Sequence, residues 1–279
     1  MCNTLNFHPM ESKIFMPNEL FQDLSVLKTK GSNHITFAYS FYYLISWLYR
    51  FAKYDQFHLT IRELKEILGY NKTYGGLDYI IKKGGVLDQI GYTSHANNYP
   101  IAWEYDTELK FTLLNELDNE TQSIIKSNKS RKYSIKLPAK GFYRNKDSDY
   151  FDGTFYEVDR THLIPFEAFK FSMSKKELGC TGFYLWSYLK MRTQQFENGY
   201  DSCIDDLSVE TMIPRSTLLQ YLVLLREYRM ITCDYNQNFF SFNLLKEERK
   251  ANTYRVNDFE EFSDLKLQVT TMKFIGSKK

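Results

Sequence analysis

The chain has 279 residues, of which 43% are hydrophobic and 17% aromatic, and its formal net charge at pH 7 is +2. This composition is typical of a folded protein long enough for two domains, and it excludes a chain-wide basic field that would attract nucleic acid. Four separated cysteines and five scattered histidines give no zinc-ligand spacing, so we expect reduced thiols, no metal and no cofactor.

Two features of the sequence, its N-terminus and its most apolar stretch, bear on the cellular location of the protein. Its N-terminus has no basic segment followed by an apolar one, so we expect no signal peptide. The most apolar stretch covers residues 37–49, which is shorter than the roughly 20 residues that a membrane-spanning helix needs. We therefore expect a cytoplasmic protein without a membrane partner.

Residues 13–105 are predicted to form a helix-rich unit. Its predicted helices cover 37–53, 60–68 and 73–83, and its predicted strands cover 86–93 and 99–105. The first helix has apolar residues at the three- and four-residue spacing of a buried face. The second begins with Thr60 and Glu63, the pattern of a capping box, and ends at Gly69, a residue preferred at helix C-termini.

The middle of the chain, residues 106–155, is predicted to be a connector with a basic segment at 126–146. This segment contains eight Lys or Arg residues and no acidic residue. Because aromatic residues are interleaved with them, the segment is suited to following a phosphate backbone. The candidate phosphate contacts are Lys129, Arg131 and Lys132. The alternative is a solvated linker whose charge is balanced by the acidic residues of 147–159.

Residues 156–245 are predicted to repeat the plan of the first unit, and residues 246–279 to form a polar C-terminal tail. The predicted helices cover 174–196, 204–211 and 214–229, and the predicted strands cover 230–234 and 239–243. The last helix starts at a proline, which a first helical turn tolerates, and it carries a stripe of leucines. The predicted hairpin turns at 235–238.

Two short segments occur in the same order in both halves. Residues 15–21 (Phe-Met-Pro-Asn-Glu-Leu-Phe) correspond to 163–169 (Leu-Ile-Pro-Phe-Glu-Ala-Phe), and residues 43–48 (Tyr-Leu-Ile-Ser-Trp-Leu) correspond to 184–189 (Tyr-Leu-Trp-Ser-Tyr-Leu). Each half also shows the order of a winged helix-turn-helix: helix, short strand, helix, turn, helix and hairpin. The sequence therefore predicts a helix-rich α+β fold with two winged helix-turn-helix domains in tandem, at 13–105 and 156–245.

The last helix of the second unit is the main candidate for reading DNA. A helical projection places its buried side at Leu218, Leu222 and Leu225. The opposite side and the helix start carry the candidate DNA contacts Arg215, Ser216, Thr217 and Gln220. A glutamine can form two hydrogen bonds with adenine, and a serine or threonine can contact a base or a phosphate. An ordinary solvated helix face is the alternative.

Two further regions offer candidate DNA contacts. The third helix of the first unit presents Lys72, Tyr79 and Lys82. Glycines at 75 and 76 weaken that helix, because each costs about 1 kcal/mol relative to alanine, and a unit that contacts protein instead of DNA is the alternative there. The turn of the second hairpin offers Asn236, Gln237 and Asn238. These residues suit an ordinary turn equally well.

Signatures of enzymes are absent from the sequence. It has no Gly-x-x-x-x-Gly-Lys phosphate loop, no Gly-x-Ser-x-Gly elbow and no His-Glu-x-x-His zinc motif. It also lacks the His-hydrophobic-His motif of rolling-circle nicking enzymes and the His-x-x-Arg motif of tyrosine recombinases. We therefore expect a binding protein and not an enzyme.

The second half resembles a known family. The opening Met173-Ser174-Lys175-Lys176-Glu177-Leu178 is followed by Ile-x-x-Leu, Arg-Ser-Thr and a leucine stripe that ends in Met-Ile. This order resembles the tandem winged-helix DNA-binding proteins of bacterial plasmids and phages, many of which are replication initiators. Residues 13–105 follow the pattern more loosely. One departure is 227–231, Glu-Tyr-Arg-Met-Ile, which lacks the glycine that is usual in this turn.

The resemblance implies sequence-specific binding to double-stranded DNA and the initiation or control of replication. Replication or transcription proteins and a second copy of the chain are possible further partners. A transcriptional regulator that binds an operator is the first alternative, because regulators and initiators share these motifs. A winged-helix scaffold that contacts only proteins is the second.

Overall fold

The computed structural model describes residues 5–57, 59–106, 109–127, 135–142, 160–196, 198–237, 239–240, 245, 250–270 and 273–274. Its fold is helix-rich α+β, as the sequence predicts, and its sheets are small and mainly antiparallel. The chain divides into two compact units, Met1–Cys180 and Thr181–Lys279. Among the described residues, no helix has both the length and the apolar character needed to cross a bilayer.

The first unit is built around one long helix. Its helices are α1 (Leu20–Asp23), α2 (Ser32–Arg50), α3 (Tyr54–Phe57), α4 (Ile61–Ile67), α5 (Asp78–Ile81), α6 (Val86–Gln89), α7 (Asn119–Ser127), α8 (Ala139–Phe142) and α9 (Phe166–Ser174). Its strands are β1 (Lys13–Pro17), β2 (Ser94–Ala96), β3 (Pro100–Tyr105), β4 (Leu109–Leu113), β5 (Ile135–Leu137) and β6 (Thr161–Pro165). Helix α2 is the core element, because every one of its residues from 35 to 50 is buried.

Aromatic packing holds α2 in place. The Trp47 ring stacks on Phe166 with 3.8 Å between centroids, and its Nε1 donates to the Glu11 carbonyl at 2.8 Å. The Tyr43 hydroxyl donates to the Ile164 carbonyl at 3.2 Å. Each large aromatic side chain buried in this way stabilises the fold by about 1.5–3 kcal/mol, and the bonded polar atoms avoid the cost of burial without a partner.

The first three residues of each copy of the repeated proline segment lie in one antiparallel strand pair, β1–β6. Phe15 pairs with Leu163 at its centre, and the ends pair Lys13 with Pro165 and Pro17 with Thr161. Each proline therefore lies at a strand end, where its missing N–H is tolerated. The sequence predicts a short strand or turn in the first copy, but the partnership between the copies is a finding of the structure.

Helix α4 is confirmed, with its predicted cap. Thr60 N donates to Glu63 Oε2 at 2.6 Å, and Glu63 N donates to Thr60 Oγ1 at 3.4 Å, which closes the capping box. The helix ends at Gly69, whose φ of 81° lies in the left-handed region that glycine adopts without strain.

The predicted helix over 73–83 is wrong as one continuous helix. Its residues form a 3-10 turn at Gly75–Leu77 and the short helix α5, which ends at Ile81. Gly84, with φ of 68°, and Gly85, where a Cβ would lie 2.7 Å from the Tyr79 carbonyl oxygen, follow it. Only glycine fits there, so the pair of glycines separates α5 from α6.

The predicted strand over 86–93 is also wrong, since α6 occupies its first half. Strand β2 pairs with β5, and β3 pairs with β4, so no hairpin forms around 96–98. The predicted second strand, 99–105, corresponds to β3 at 100–105. The strand that pairs with β3 is β4, which follows it in the chain and has an alternating pattern of side-chain exposure.

The predicted connector contributes ordered elements to the first unit. Strand β5 lies within the basic segment 126–146, and its Lys136 is 1% exposed. The Lys136 Nζ forms an ion pair with Asp88 Oδ1 at 2.6 Å, so this lysine does not face a phosphate backbone. Lys129, Arg131 and Lys132 lie outside the described residues.

The second unit combines three helices with a three-stranded sheet. It contains α10 (Gly179–Gln195) from Thr181 onward. Its other elements are α11 (Ile204–Thr211), α12 (Arg215–Glu227), β7 (Tyr200–Ser202), β8 (Ile231–Asp234), β9 (Phe239–Phe240), β10 (Asn252–Val256) and β11 (Lys273–Phe274). The sheet has the order β7-β10-β8, with β10 antiparallel to both neighbours. The boundary between the units falls inside α10.

The partner of β8 differs from the prediction. The predicted hairpin joins 230–234 to 239–243, but β8 pairs with β10, and β9 pairs in parallel with β11. Part of the predicted polar tail, 252–256, is therefore the central strand of a sheet. Its one fully buried side chain, Tyr254, is 1% exposed, and a single buried position is a weak signal in the sequence.

Candidate nucleic-acid interface

Two helices joined by a tight turn form the candidate interface in the second unit. Helix α11 ends at Met212, whose φ of 56° is left-handed, and α12 begins at Arg215 after Pro214. The Ser208 hydroxyl donates to the Ile213 carbonyl at 2.6 Å, and Ile213 is fully buried. These contacts anchor the turn, so α12 is held in a fixed direction relative to α11.

Helix α12 buries the predicted side. Leu218 and Leu225 are 0% exposed, and Leu222 is 6% exposed. The predicted DNA contacts Arg215, Ser216 and Gln220 are exposed, and Thr217 is partly exposed. The structure thus brings all four onto the first two turns of one helix, outside the core. Leu219 is also exposed, at 43%, a position that the helical projection leaves unassigned.

The start of α12 is suited to a negative charge. No side chain caps it, and the residue before it is Pro214. The backbone N–H groups of the first helical turn have no partner within a helix, and the helix dipole adds a partial positive charge there. The Arg215 guanidinium lies at the same end and forms an ion pair with Asp205 of α11. Both side chains are more than half exposed, so this pair is open to rearrangement.

Helix α11 carries acidic residues at its start and near its end. Asp205 and Asp206 both lie in the first turn of α11. Glu210 accepts hydrogen bonds from the hydroxyls of Tyr188 at 2.9 Å and Tyr200 at 2.7 Å. Burial, and next the bond to Glu210, raise the pKa of both tyrosines, which therefore stay neutral donors. The start of α11 is thus acidic, whereas the start of α12 carries Arg215.

Asn236 and Gln237, which are predicted as DNA contacts, form hydrogen bonds within the protein. Asn236 Nδ2 donates to the Ala251 carbonyl at 2.9 Å and to Thr253 Oγ1 at 2.8 Å. Gln237 Oε1 accepts from the Lys250 backbone N–H at 3.4 Å. Asn238 lies outside the described residues. The bonds of Asn236 and Gln237 reach residues 250–253 and are not the local hydrogen bonds of a hairpin turn.

The predicted contacts of the first unit do not share one helix. Lys72 lies before the 3-10 turn and pairs with Glu66 at 2.9 Å. The Tyr79 hydroxyl lies 2.8 Å from His34 Nδ1 at the start of α2. Lys82 is exposed in the break between α5 and α6. Lys83 beside it is also exposed, and the sequence analysis missed it, although the run Lys-Lys-Gly-Gly marks an exposed cationic turn.

The ends of α6 and α12 have the same geometry. Tyr92 N donates to the Leu87 carbonyl at 2.9 Å, and Met230 N donates to the Leu225 carbonyl at 2.8 Å. The residue before each donor is left-handed, with φ of 79° at Gly91 and 53° at Arg229. Gly91 and Arg229 therefore end their helices in the same way, as Ala52 ends α2 and Gly69 ends α4.

Chemically, the exposed part of α12 supplies a cation, two hydroxyls and an amide within two turns. These groups match the donors and acceptors of base edges and phosphates. Among the residues that the structure describes, no group of three His, Cys, Asp or Glu side chains is placed to hold a metal ion. Comparison with family models, with curated proteins and with solved structures finds no match to this chain.

Proposed function

We propose that this chain is a sequence-specific protein that binds double-stranded DNA through winged helix-turn-helix units. The observation that carries the proposal is the second unit, where the chain runs α10, β7, α11, a tight turn, α12, β8 and later β10, and the three strands form a sheet of order β7-β10-β8. A strand between the first and second helices that pairs with the last strand is the arrangement of a winged helix. In such units the helix after the turn enters the major groove.

The polar face of α12 supports a reading role. A helix of 13 residues is about 20 Å long, so its first half can lie in a groove while its second half packs on the core. Gln220 is one turn beyond Ser216 and exposed on the side away from Leu218. We assign Gln220 to base recognition and Arg215 with the helix start to phosphate or guanine contact.

The first unit supports a second, modified module. The place of α5 and α6 after α4 and before strand β2 corresponds to the place of α12 after α11 and before β8, and Gly84 and Gly85 divide the two short helices. Lys82 and Lys83 are exposed at this division. We propose that this module contributes phosphate contacts and little base reading, because two short helices cannot present a continuous polar face to a groove.

The biological role that we favour is initiation or control of replication in a plasmid or phage. Its support is the resemblance of the motifs in 173–231 and the repetition of the unit within one chain. A transcriptional regulator would use the same chemistry on an operator. The presence of iterated short binding sites at a replication origin, mapped by sequencing bound genomic fragments, favours the initiator over the regulator.

A protein-interaction scaffold is the second candidate. The observations that favour it are the carboxylates of Asp205 and Asp206 beside α12 and the division of the corresponding helix in the first unit. Both features reduce attraction to a polyanion. A scaffold predicts no saturable binding to any duplex at low salt.

A charge substitution at the start of α12 tests DNA binding. Ser216→Glu places a carboxylate at a helix N-terminus, where it does not destabilise the helix, but it repels a phosphate or base edge there. The matched control is Ser25→Glu, at an exposed serine of the first unit. Mobility shifts with genomic and random duplexes at two salt concentrations are the measurement.

We expect wild-type protein to shift a subset of genomic duplexes, with affinity that falls as salt increases. Ser216→Glu should weaken that binding about tenfold or more, the effect of about 1.4 kcal/mol, whereas Ser25→Glu should change it little. Equal effects of the two variants would remove α12 from the interface. Absence of saturable binding by wild-type protein would reject DNA binding and leave the scaffold.

A further inference from the structure

The second unit contains a cavity of about 340 Å³ between α11, α12 and the strands β8 and β10. Its apolar wall includes Ile204 at the start of α11 and the α12 side chains Leu219, Leu222 and Val223. Arg226 and Lys250 lie on the same lining. The volume is at the lower end of the range of small-molecule sites, which are mostly apolar with a few polar groups that fix orientation.

The charged groups of the lining do not balance. Arg215 and Asp205 both line the cavity and pair with each other, which leaves the charges of Arg226 and Lys250. The Arg226 guanidinium donates to the Tyr235 hydroxyl at 2.5 Å and lies over that ring, 5.1 Å from its centroid. It also donates to the Thr270 carbonyl, and in the part of the chain that the structure describes it has no carboxylate partner.

The thiols of the lining do not supply the missing negative charge. Burial raises the pKa of Cys233 to about 11, and burial also raises the pKa of Cys203. Burial likewise raises the pKa of Tyr254. All three groups therefore stay neutral near pH 7. The cavity combines an apolar interior with a cationic side that has two positive charges in excess.

We propose that this cavity binds a small amphipathic anion, a molecule with an apolar body and one carboxylate or sulfonate group. The apolar body lies against Leu219, Leu222 and Val223, and the anionic group accepts hydrogen bonds from Arg226. A charge-assisted bond of this kind is stronger than a neutral one, and the arginine is already oriented by Tyr235. The proposal does not depend on DNA binding, and its test contains no DNA.

Two fluorescent probes of the same shape separate the contributions of charge and apolar contact. The first is 1-anilinonaphthalene-8-sulfonate, and the second is N-phenyl-1-naphthylamine, which lacks the sulfonate. Both are titrated into the full chain, and decanoate is then added to displace the bound probe. The anionic probe should bind saturably to one site, at least tenfold more tightly than the neutral probe, and decanoate should displace it.

Two variants and two matched controls locate the site. Leu219→Trp fills the cavity from a side chain that is 43% exposed, so the fold tolerates it, and Val209→Trp adds the same ring at a position that is 73% exposed outside the cavity. Arg226→Met removes the proposed cation, and Arg229→Met removes an arginine outside the lining. Circular dichroism melts confirm that each variant is folded.

We expect Leu219→Trp to weaken the binding of both probes at least tenfold. Arg226→Met should abolish the preference for the anionic probe. Both control variants should bind the two probes as wild type does. The proposal is overturned if wild type shows no saturable binding, or if it prefers neither probe. It is also overturned if Val209→Trp weakens binding as much as Leu219→Trp. Should Arg226→Met prove unfolded, Lys250→Met, at an exposed residue, must reduce the preference for the anionic probe instead.

Discussion

Phe15 and Leu163 occupy the same position in the two copies of the repeated proline segment, and they face each other at the centre of the β1–β6 pair. Away from this pair the antiparallel register brings Met16 opposite His162 and Ile14 opposite Ile164. The starts of the two similar segments therefore pair with each other, and cross-strand contacts between buried side chains stabilise the pair.

This pairing predicts an energetic coupling between Ile14 and Ile164, which are cross-strand partners and both 0% exposed. Ile14→Ala and Ile164→Ala should each cost about 2–5 kcal/mol of unfolding free energy through the cavity that remains. The double variant should depart from the sum by about 0.5–3 kcal/mol, as residues in contact do. Urea titrations measure all three. Ile14→Ala combined with Val26→Ala, which changes a 56% exposed side chain, should be additive; equal coupling in both pairs would contradict the strand register.

The buried pair of Lys136 and Asp88 carries a second prediction. Asp88 also accepts from Gly84 N at 2.8 Å and from the Thr93 hydroxyl at 2.5 Å. Asp88→Ala should cost about 3–5 kcal/mol, because it leaves the Lys136 ammonium buried without a counter-charge. Adding Lys136→Met to Asp88→Ala should recover part of that loss. Lys72→Ala, in a pair whose side chains are 42% and 37% exposed, should cost less than about 1 kcal/mol; similar losses at both sites would refute the burial of Lys136.

A comparison of α12 with β5 and β10 shows which parts of the structure can be predicted from the sequence and which cannot. The leucine stripe of α12 and the capping box of α4 are local patterns, and local spacing determines which side of a helix is buried. The sequence therefore predicts the buried and exposed sides of α12 and the two ends of α4. Of the candidate site, the clustering of Arg215, Ser216, Thr217 and Gln220 follows from the same spacing.

Pairing between distant segments is not encoded in local spacing. The partner of β8 lies beyond 239–243, the nearest segment with a strand-like pattern, and the partner of β1 lies about 150 residues away. Lys136 belongs to a basic run in the sequence, but its burial depends on Asp88, which is 48 residues earlier. The cavity is likewise formed by four separate segments, and no single motif indicates it.

His34 gives a prediction on pH. Burial, and next the positive charge of Lys30, lower the pKa of His34 below its ordinary value. The fold thus favours neutral His34, so its contribution to stability is complete above pH of about 6.5 and is lost as the pH falls through the lowered value. In a proton NMR titration, with the signal assigned from His34→Gln, Lys30→Met should raise the pKa of His34. Lys28→Met should leave it unchanged, and a fall in either variant would exclude repulsion by Lys30.

Arg229 predicts a stabilising substitution. It holds a φ of 53°, a conformation that costs a residue with a Cβ about 1–2 kcal/mol, whereas glycines occupy the same cap position after α4 and α6. Its ion pair with Glu261 spans 3.8 Å between half-exposed side chains and adds little. Arg229→Gly should therefore raise the free energy of unfolding by about 0.5–1 kcal/mol after the greater chain entropy of glycine is included. Arg229→Ala should not raise it, and a glycine variant less stable than the alanine variant would contradict the assigned strain.

The two sides of α12 predict opposite effects of two alanine substitutions. Gln220 is exposed, so Gln220→Ala should leave the melting temperature nearly unchanged but reduce discrimination at one base pair by about 1–3 kcal/mol, with a smaller loss on random duplex. Leu222 is 6% exposed, so Leu222→Ala should cost about 2–5 kcal/mol of stability and leave the ratio of specific to random affinity unchanged in the folded fraction. The measurement pairs thermal melts with affinities for a selected and a scrambled duplex, and Gln22→Ala, at an exposed glutamine of α1, is the control. If Gln220→Ala keeps the full specificity ratio, as the control should, then α12 does not read the bases, and the interaction scaffold becomes the better account of this surface.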